Sequence, residues 1–370
     1  MTFHIDKEAL LKRFCRYVTI DSETGNEKEM TLLLTEELRE LGLSVRTEPL
    51  PESAGTNGCN ILGVLEGDSQ KEGILFSSHM DTVIPGKNIR PIVCEDGRVR
   101  SEGDTILGGD DKAGIAAIME ALICAKSVAD HPRIEILFTV REEVGLVGAK
   151  AFDCSLLQSK RGVVLDSGGT MENITTIAPG QNRLTFTIHG KTAHAGIAPE
   201  TGISAIQVGA EAVAHMELLR IDEETTANIG TFMAESPTNI VCDQATLILE
   251  VRSRDNDKLK SHCEKVENCV KEACEKRGAC YEMTLQSSYT AFNIPETSAI
   301  VADALRICTE LGREGKCIGS GGGSDANVLN AYGIPTINVA IGMEKVHTIQ
   351  EELIISEMEL AAELCYRLMI

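Results

Sequence analysis

The sequence predicts an α/β protein of two domains, in which a smaller α+β domain interrupts the larger one. Its 370 residues exceed the roughly 250–300 residues at which a single core stops growing. Helical and strand patterns alternate at both ends of the chain, whereas the middle follows a β-α-β-β-α-β order. The alternation favours a buried, largely parallel sheet, and the middle order favours two helices on one sheet.

The first α/β segment begins with two amphipathic stretches and continues with short apolar runs. This pattern predicts helices that are followed by buried strands. Helices are expected at 7–18, at 27–42 and after Asp111, and strands at 59–65, 73–78, 133–140 and 161–165.

The pattern changes near Ala178-Pro179-Gly180, after which the alternating strand LTFTIHG begins. Alternation of apolar and polar residues is typical of a sheet with one exposed face. We therefore expect an inserted, ferredoxin-like domain of two helices on one sheet. Its further elements are a helix at 202–219, strands at 228–234 and 245–252, a helix at 256–277 and a strand at 279–286.

The α/β pattern returns after about residue 288 and completes the larger domain. The elements here are a helix at 296–311, the glycine-rich stretch GSGGGSD, the apolar strand IPTINVAI and a helix at 352–368. The predicted domains are therefore a larger one, 1–177 with 288–370, and an inserted one, 178–287.

Composition and charge exclude several classes of function. The chain has 56 acidic and 35 basic residues, and the resulting charge of −21 repels nucleic acid and anionic lipid. The 13 cysteines are an odd number without a CxxC spacing, which favours reduced thiols. The first residues lack the apolar core of a signal peptide, and no run reaches the roughly 18 apolar residues of a membrane span. We expect a cytoplasmic protein that binds neither nucleic acid nor membranes.

Two segments carry candidate metal ligands at the ends of apolar elements. His79 and Asp81 end the strand GILFSSHMD on the same side, so the imidazole can bind a metal while the carboxylate orients it. Asp110 and Asp111 in LGGDDKAG precede an apolar helix, and a carboxylate there can bridge two cations. Each segment has an ordinary alternative, a satisfied strand-end histidine or acids that favour a helix N-terminus.

Three further segments carry similar side chains after predicted strands. Glu142 and Glu143 follow RIEILFTV, so one can bind metal while its neighbour acts as a base. Asp166 ends the strand RGVVLD, and His347 follows IPTINVAI. Each segment alone is compatible with a solvated loop or turn. Together the five segments supply His, Asp, Glu, Asp and His, an N/O ligand set suited to zinc, cobalt or manganese.

With these segments in order, the chain resembles the M20 family of metallopeptidases, and more narrowly its peptidase T group of tripeptide aminopeptidases. The resemblance rests on SSHMDTV, GGDDKAG, REEVG, VLDSGG and KVHT, and it covers nearly the whole chain. It implies a di-metal exopeptidase catalytic domain with an inserted lid and dimerisation domain.

The resemblance also implies a ligand set for two divalent metal ions. Asp110 would bridge both ions, His79 and Asp166 would complete one site, and Glu143 and His347 would complete the other. Zinc is the expected metal, with cobalt or manganese as alternatives, and the ions would lie roughly 3.5–4 Å apart.

Two residues are expected to act beside the metals. By the same resemblance, Asp81 would steady the imidazole of His79. Glu142 would be the general base that takes a proton from a water bridging the metals and later passes it to the leaving amine.

The inserted domain contains further residues that match the family. His194 in GKTAHAG matches a lid histidine that stabilises the tetrahedral oxyanion, often from the other subunit of a dimer. Asn239 and Arg252 match positions that hold the polar ends of the substrate, and Arg254 competes with Arg252 for that role. The ordinary alternatives are a helix cap for His194 and solvated strand positions for both arginines.

The glycine-rich stretch GSGGGSD has two interpretations. A Gly-rich turn before a helix can bind phosphate, but no GK[ST] follows it, and no GxGxxG follows the first strand. The family resemblance instead implies a substrate pocket, with Gly321, Gly322 and Ser324 as contacts.

The expected function is hydrolysis of peptide bonds in short peptides, by an exopeptidase that acts as a homodimer. An amidohydrolase of N-acyl amino acids or dipeptide-like metabolites would use the same metals, and the motifs do not separate the two. A binding protein that kept the fold is a further alternative, although a non-enzymatic relative has no reason to keep an unpaired acid such as Glu142.

Overall fold

The computed structural model describes residues 4–370, which divide into two compact units. The first unit contains residues 4–177, 293–320 and 324–370, and the second contains 178–292 and 321–323. Among the described residues, no helix is both long and apolar enough to cross a membrane.

Helices and strands are numbered here in chain order. The helices are α1 (Lys7–Val18), α2 (Lys28–Glu40), α3 (Gly109–Ala125), α4 (Val147–Ala151), α5 (Ala205–His215), α6 (Asn256–Arg277), α7 (Ala299–Glu310), α8 (Asp325–Ala331) and α9 (Ile355–Met369). The strands are β1 (Ser44–Pro49), β2 (Cys59–Leu65), β3 (Ile74–His79), β4 (Pro91–Val93), β5 (Arg98–Ser101), β6 (Ile134–Thr139), β7 (Arg161–Gly168), β8 (Asn173–Ala178), β9 (Gly180–His189), β10 (Leu219–Arg220), β11 (Thr225–Met233), β12 (Gln244–Ser253), β13 (Cys280–Tyr289), β14 (Phe292–Asn293), β15 (Lys316–Gly319), β16 (Thr336–Glu344) and β17 (Glu352–Ile354). Short 3-10 turns lie at Glu52–Ala54, Cys154–Leu156 and Pro199–Thr201.

The sheet of the first unit has the strand order β1-β2-β6-β3-β7-β16-β17-β5-β4. Strand β8 pairs with β16 beside this path, and also with β14 and β15. The neighbours β6, β3, β7 and β16 are parallel, and almost all of β3, β6 and β16 is buried. Their carboxyl ends therefore lie at one edge of the sheet, where such sheets place functional side chains.

Helix α3 brings a fifth chain segment to this edge. Its residues from Gly109 to Leu122 are buried, and it packs against β3 and β7. A Cβ atom at Gly114 would lie 2.4 Å from the carbonyl oxygen of Leu165 in β7, so the close approach requires glycine. This approach places the beginning of α3, with Asp110, beside the carboxyl ends of the strands.

The second unit is an antiparallel sheet with two helices. Its strand order is β10-β11-β12-β9-β13. Leu184, Phe186 and Ile188 alternate along β9 and form a core with apolar residues of α5 and α6. The structure thus confirms the α/β class and the inserted β-α-β-β-α-β order, with β10 as an additional short strand.

Several element boundaries differ from those expected. Helix α5 ends at His215 instead of 219, because Met216 is extended. Residues 352–354 form β17, which pairs with β5 and β16, so the last helix begins at Ile355. Strand β13 continues to Tyr289, beyond the expected domain boundary at 287, because it stays paired with β9.

Candidate metal centre

Six polar side chains meet where the parallel strands of the first unit end. His79 ends β3, the pair Glu142 and Glu143 follows β6, and Asp166 lies in β7. The other two come from the beginning of α3, with Asp110, and from the turn after β16, with His347. Sequence-distant segments therefore contribute to one site because their strands are neighbours in the sheet.

The first group of candidate metal ligands is His79, Asp110 and Asp166, whose ligand atoms lie within 4.8 Å of one another. His79 Nε2 is 3.0 Å from Asp110 Oδ1 and 3.9 Å from Asp166 Oδ1. Its other ring nitrogen, Nδ1, is 2.9 Å from the backbone carbonyl oxygen of Asp81. If Nδ1 donates to that oxygen, Nε2 is left with a lone pair for a metal.

The second group is Asp110, Glu143 and His347, again within 4.8 Å. His347 Nε2 is 3.2 Å from Asp110 Oδ2 and 3.0 Å from Glu143 Oε2. Asp110 therefore faces His79 with one carboxylate oxygen and His347 with the other. A carboxylate in this position can be shared by two cations.

The electrostatics of both groups fit cations. Burial raises the pKa of Asp166 and of Glu143. Hydrogen bonds with Asp110 and Glu143 raise the pKa of His347 to about 10, and hydrogen bonds with Asp110 and Asp81 outweigh burial to raise that of His79. Glu143 Oε1 is buried without a hydrogen-bond partner among the described residues. Cations placed here would balance charges that otherwise require protonated imidazoles.

The carboxylate of Asp81 organises the turn after β6. It is fully buried and accepts hydrogen bonds from the backbone N–H of Glu142 at 2.8 Å and of Glu143 at 3.4 Å. The hydroxyl of Thr24 donates a third bond at 2.7 Å. The carboxylate is 3.5 Å from His79 Nδ1, so the backbone carbonyl of Asp81 is the nearer partner of the imidazole.

Removal of the Thr24 hydroxyl should disturb catalysis more than metal binding. Thr24→Val keeps the side-chain shape, but it leaves Asp81 with one donor fewer and the Glu142 turn less firmly held. We expect kcat/KM to fall roughly 10-fold, as for outer-shell partners of metal sites, with unchanged metal content. Steady-state kinetics and elemental analysis would measure both quantities. The control is Thr19→Val, whose exposed hydroxyl donates to the Arg16 carbonyl. Equal activity of both variants would contradict the prediction.

Glu142 lies beside the ligand groups and belongs to neither of them. Burial raises its pKa well above the usual value, and the carboxylates of Asp325, Glu143 and Asp110 raise it further, although His79 opposes them. A carboxyl group with a raised pKa can accept and return a proton near neutral pH.

The two aspartates of GGDDKAG have different environments. Asp111 belongs to neither ligand group, and its carboxylate accepts hydrogen bonds from the Ser78 hydroxyl and the His79 backbone N–H. Asp110, by contrast, has its side chain between His79 and His347. The geometry therefore identifies Asp110, and not Asp111, as the candidate ligand.

Asp325, at the beginning of α8, is a buried acid beneath this site. Its carboxylate accepts a hydrogen bond from the Thr139 hydroxyl, and its Oδ1 has no partner among the described residues. Burial raises its pKa to about 6 from an ordinary 3.8.

Asp325→Asn should therefore change how stability depends on pH. Between pH 4 and 6 the unfolded chain loses this proton while the folded chain keeps it, so wild-type stability falls as pH rises. The asparagine variant lacks this loss, so its stability relative to the wild type should rise by roughly 2 kcal/mol from pH 4 to pH 7.5. Urea unfolding of chelator-treated protein at both pH values measures the difference. Asp153→Asn is a control of opposite sign, since hydrogen bonds from Ser155 lower the Asp153 pKa; a pH-independent difference for Asp325→Asn would contradict the prediction.

The residues expected to contact substrate from the inserted domain lie in the second unit. Here 193–195 and 239–241 run side by side, with Ala195 N–H donating to the Asn239 carbonyl, and His194 forming a bridge with Ile240. His194 is exposed, and its Nδ1 accepts the Gly196 N–H. The structure thus places His194 and Asn239 on neighbouring, hydrogen-bonded segments of the second unit.

The two arginines occupy strand β12 and its end. Arg252 forms an ion pair with Glu250 at 3.0 Å and donates to the Gly321 carbonyl at 3.4 Å. Arg254 is half-buried, and its backbone N–H donates to Glu224. Arg252 therefore contacts the glycine-rich stretch at Gly321.

The glycine-rich stretch divides between the two units. Gly321 and Gly322 belong to the second unit, whereas Ser324 belongs to the first and is buried. Ser324 is the N-cap of α8 and forms a reciprocal capping box with Asn327. Its hydroxyl thus has a structural partner, while its role as a substrate contact stays a prediction.

Sequence reasoning did not find four residues that support the site, the buried Asp325, Asn338 and Glu351 and the part-buried Thr24. Asn338 in β16 clamps the backbone of Asp166, accepting its N–H at 2.9 Å and donating to its carbonyl at 2.7 Å. Glu351 follows His347 by four residues, and its acidic side chain next to a ligand turn was the available signal. Thr24 and Asn338 carry no signal in periodicity or motif, whereas Asp325 ends GSGGGSD, a stretch for which the family resemblance implies a substrate pocket.

Two neighbouring N/O ligand groups at the carboxyl edge of a largely parallel sheet, in a chain with an inserted α+β unit, are typical of a metal-dependent hydrolase. Sequence comparison agrees with this class. Residues 178–278 match the peptidase dimerisation domain of the M20 family, and residues 60–197 match peptidase family M28. The two matches cover different, partly overlapping parts of the chain.

Three proteins are similar to the chain over nearly its whole length. Protein YqjE of Bacillus subtilis is 41% identical, covering 97% of this chain and 97% of that protein. The crystal structure of aminopeptidase PepT from Bacillus cereus is 40% identical with a TM-score of 0.93, covering 99% and 98%. That of a tripeptidase from Staphylococcus aureus is 37% identical with a TM-score of 0.95 and the same coverage. The chain belongs to the M20 family of metallopeptidases, in its peptidase T-like group.

Proposed function

We propose that this peptidase is an aminopeptidase of short peptides that works with two divalent metal ions. The observation that carries the proposal is the position of Asp110, which faces one candidate ligand group with each carboxylate oxygen, beside Glu142. The proposed ligands are His79, Asp110 and Asp166 for one ion, and Asp110, Glu143 and His347 for the other. Zinc is the metal we propose first, and cobalt and manganese suit the same N/O donors.

The bound metals would lower the pKa of a water and polarise the scissile carbonyl. Glu142 accepts a proton from the attacking water and returns it to the amine that leaves. Asp81 binds the backbone N–H groups of Glu142 and Glu143, and this contact fixes the position of the proposed base relative to the proposed ligand. The burial that raises the pKa of Glu142 suits it to both proton transfers.

The two solved structures that are similar to this chain support the substrate class. One is an aminopeptidase and the other a tripeptidase, and each aligns with almost the whole chain. We therefore propose tripeptides and similarly short peptides, with a free amino terminus, as substrates. The contacts proposed for them are His194, Asn239, Arg252, Arg254, Gly321, Gly322 and Ser324.

We also propose a homodimer formed through the second unit, because residues 178–278 match a dimerisation domain. Sedimentation velocity over a dilution series, with activity measured in parallel, tests it. A fully active monomer would contradict the proposal. The cytoplasmic location expected from the sequence stays a prediction.

Hydrolysis of a peptide panel tests the proposed function. The panel contains di-, tri- and tetrapeptides with free amino termini, their N-acetylated counterparts and N-acyl amino acids, each with zinc-, cobalt- or manganese-loaded protein. We expect cleavage of the free-amine peptides, fastest for tripeptides, and resistance of the acetylated ones. Activity confined to acylated substrates would replace the aminopeptidase by an amidohydrolase.

A further inference from the structure

The side chain of Glu351 is buried and bound entirely by backbone N–H groups of one turn. Its Oε2 accepts hydrogen bonds from Leu107 and Gly108, each at 2.8 Å, and its Oε1 accepts one from Asp110 at 3.0 Å. The residue is 2% exposed. This turn carries the proposed bridging ligand, Asp110, at its end.

The same residue belongs to the turn that carries His347. Glu351 follows His347 by four residues, and its own N–H donates to the Thr348 carbonyl at 3.0 Å. One carboxylate therefore joins two ligand-bearing segments that are more than 200 residues apart in sequence. No regular strand pairing joins these two segments, since Leu107, Gly108 and His347 all lie outside the strands.

The geometry requires a carboxylate at this position. Two acceptor oxygens are needed for three donors, and a glutamine would turn an NH₂ group towards N–H groups. The turn is also closely fitted, because a Cβ atom at Gly109 would lie 3.1 Å from Glu351 Oε1. Gly108 adopts φ +72°, which favours glycine.

We propose that Glu351 is a positioning residue that sets the spacing between Asp110 and His347 in the metal centre. The inference rests on the proposed function, since it requires that these residues bind metal. Two of the three ligands in the Asp110, Glu143 and His347 group lie on the segments that Glu351 joins. The other group has only Asp110 on such a segment. Loss of Glu351 should therefore weaken the site that contains His347 more than the other.

The experiment compares Glu351→Gln with Glu352→Gln. Glu352 is the next residue and is also buried, but its carboxylate pairs with the side chains of Arg98, Arg100 and Lys345, and among the described residues it does not bind the backbone of the Asp110 turn. Zinc affinity at each site is measured by competition with a chromophoric chelator, and the ligand field by visible absorption of the cobalt-loaded protein. We expect Glu351→Gln to lower the zinc affinity of the site that contains His347 by about 10-fold or more, and to affect the other site less. Its cobalt spectrum should change, while Glu352→Gln should match the wild type in both respects.

Circular dichroism and thermal unfolding show whether the variants fold. If Glu351→Gln does not fold, Glu351→Asp replaces it, because a carboxylate shorter by one methylene keeps its charge but does not reach all three donors. Equal zinc affinities and cobalt spectra for the position-351 variant and Glu352→Gln would overturn the inference, even if thermal stability fell. If that result comes with a wild type that binds two metals and hydrolyses peptides, the proposed function stands. A wild type that binds no metal would overturn both.

Discussion

Replacement of Glu142 by glutamine is expected to lower kcat for tripeptide hydrolysis by about 100- to 10,000-fold while the protein keeps its metal. Glutamine has nearly the same shape but accepts no proton from the attacking water. The backbone N–H of residue 142 still reaches Asp81, and the side chain belongs to neither ligand group. Initial rates at saturating peptide and elemental analysis of the dialysed protein measure the two quantities.

The neighbouring substitution Glu143→Gln provides the comparison for this prediction. Glu143 faces His347 at 3.0 Å in the second ligand group, so the same chemical change should remove metal from that site. Activity near the wild-type level in Glu142→Gln would contradict its proposed role as base. Equal metal loss in both variants would show that the two glutamates share one role.

Asp110→Asn is expected to weaken both metal sites at once and to reduce hydrolysis below detection. The substitution removes a negative charge and one of the two oxygens that face His79 and His347. The affinity loss at each site should exceed the roughly 10- to 100-fold that outer-shell partners contribute. Titration with zinc, followed by chelator competition, measures it.

The matched control is Asp111→Asn, the adjacent aspartate. Its carboxylate bonds Ser78 and the His79 backbone, and an asparagine oxygen can still accept one of these bonds. This variant should keep two metals. Loss of only one metal in Asp110→Asn would contradict a shared carboxylate and assign Asp110 to a single site.

The strands that build the site could be predicted because they are buried on both faces. Strands β3, β6 and β16 read as continuous apolar runs, and their ends mark where polar side chains can gather. The strands β1, β4 and β5 were not predicted, because they are short and partly exposed at or near the sheet edges. Their sequences lack the alternation that marks a half-buried strand.

Proximity of the five expected ligands could be predicted, but not the contacts that hold them. Thr24 and Glu351 act through a carboxylate and through backbone N–H groups whose directions depend on turn conformation. Sequence periodicity does not carry this information. The same limit applies to His79, because a strand-end spacing indicates that Asp81 is near but not that its carbonyl is the closer partner.

Asp110 and the other candidate ligands come from segments that begin at residue 79 and end at residue 347, with the second unit between them. During synthesis, a ribosome-bound chain lacks His347 until the whole second unit and strand β16 have been added. Contacts of such long sequence separation also form slowly. Recovery of peptide hydrolysis after denaturation should therefore report completion of the whole fold, and an incomplete chain should be unable to degrade peptides around the ribosome.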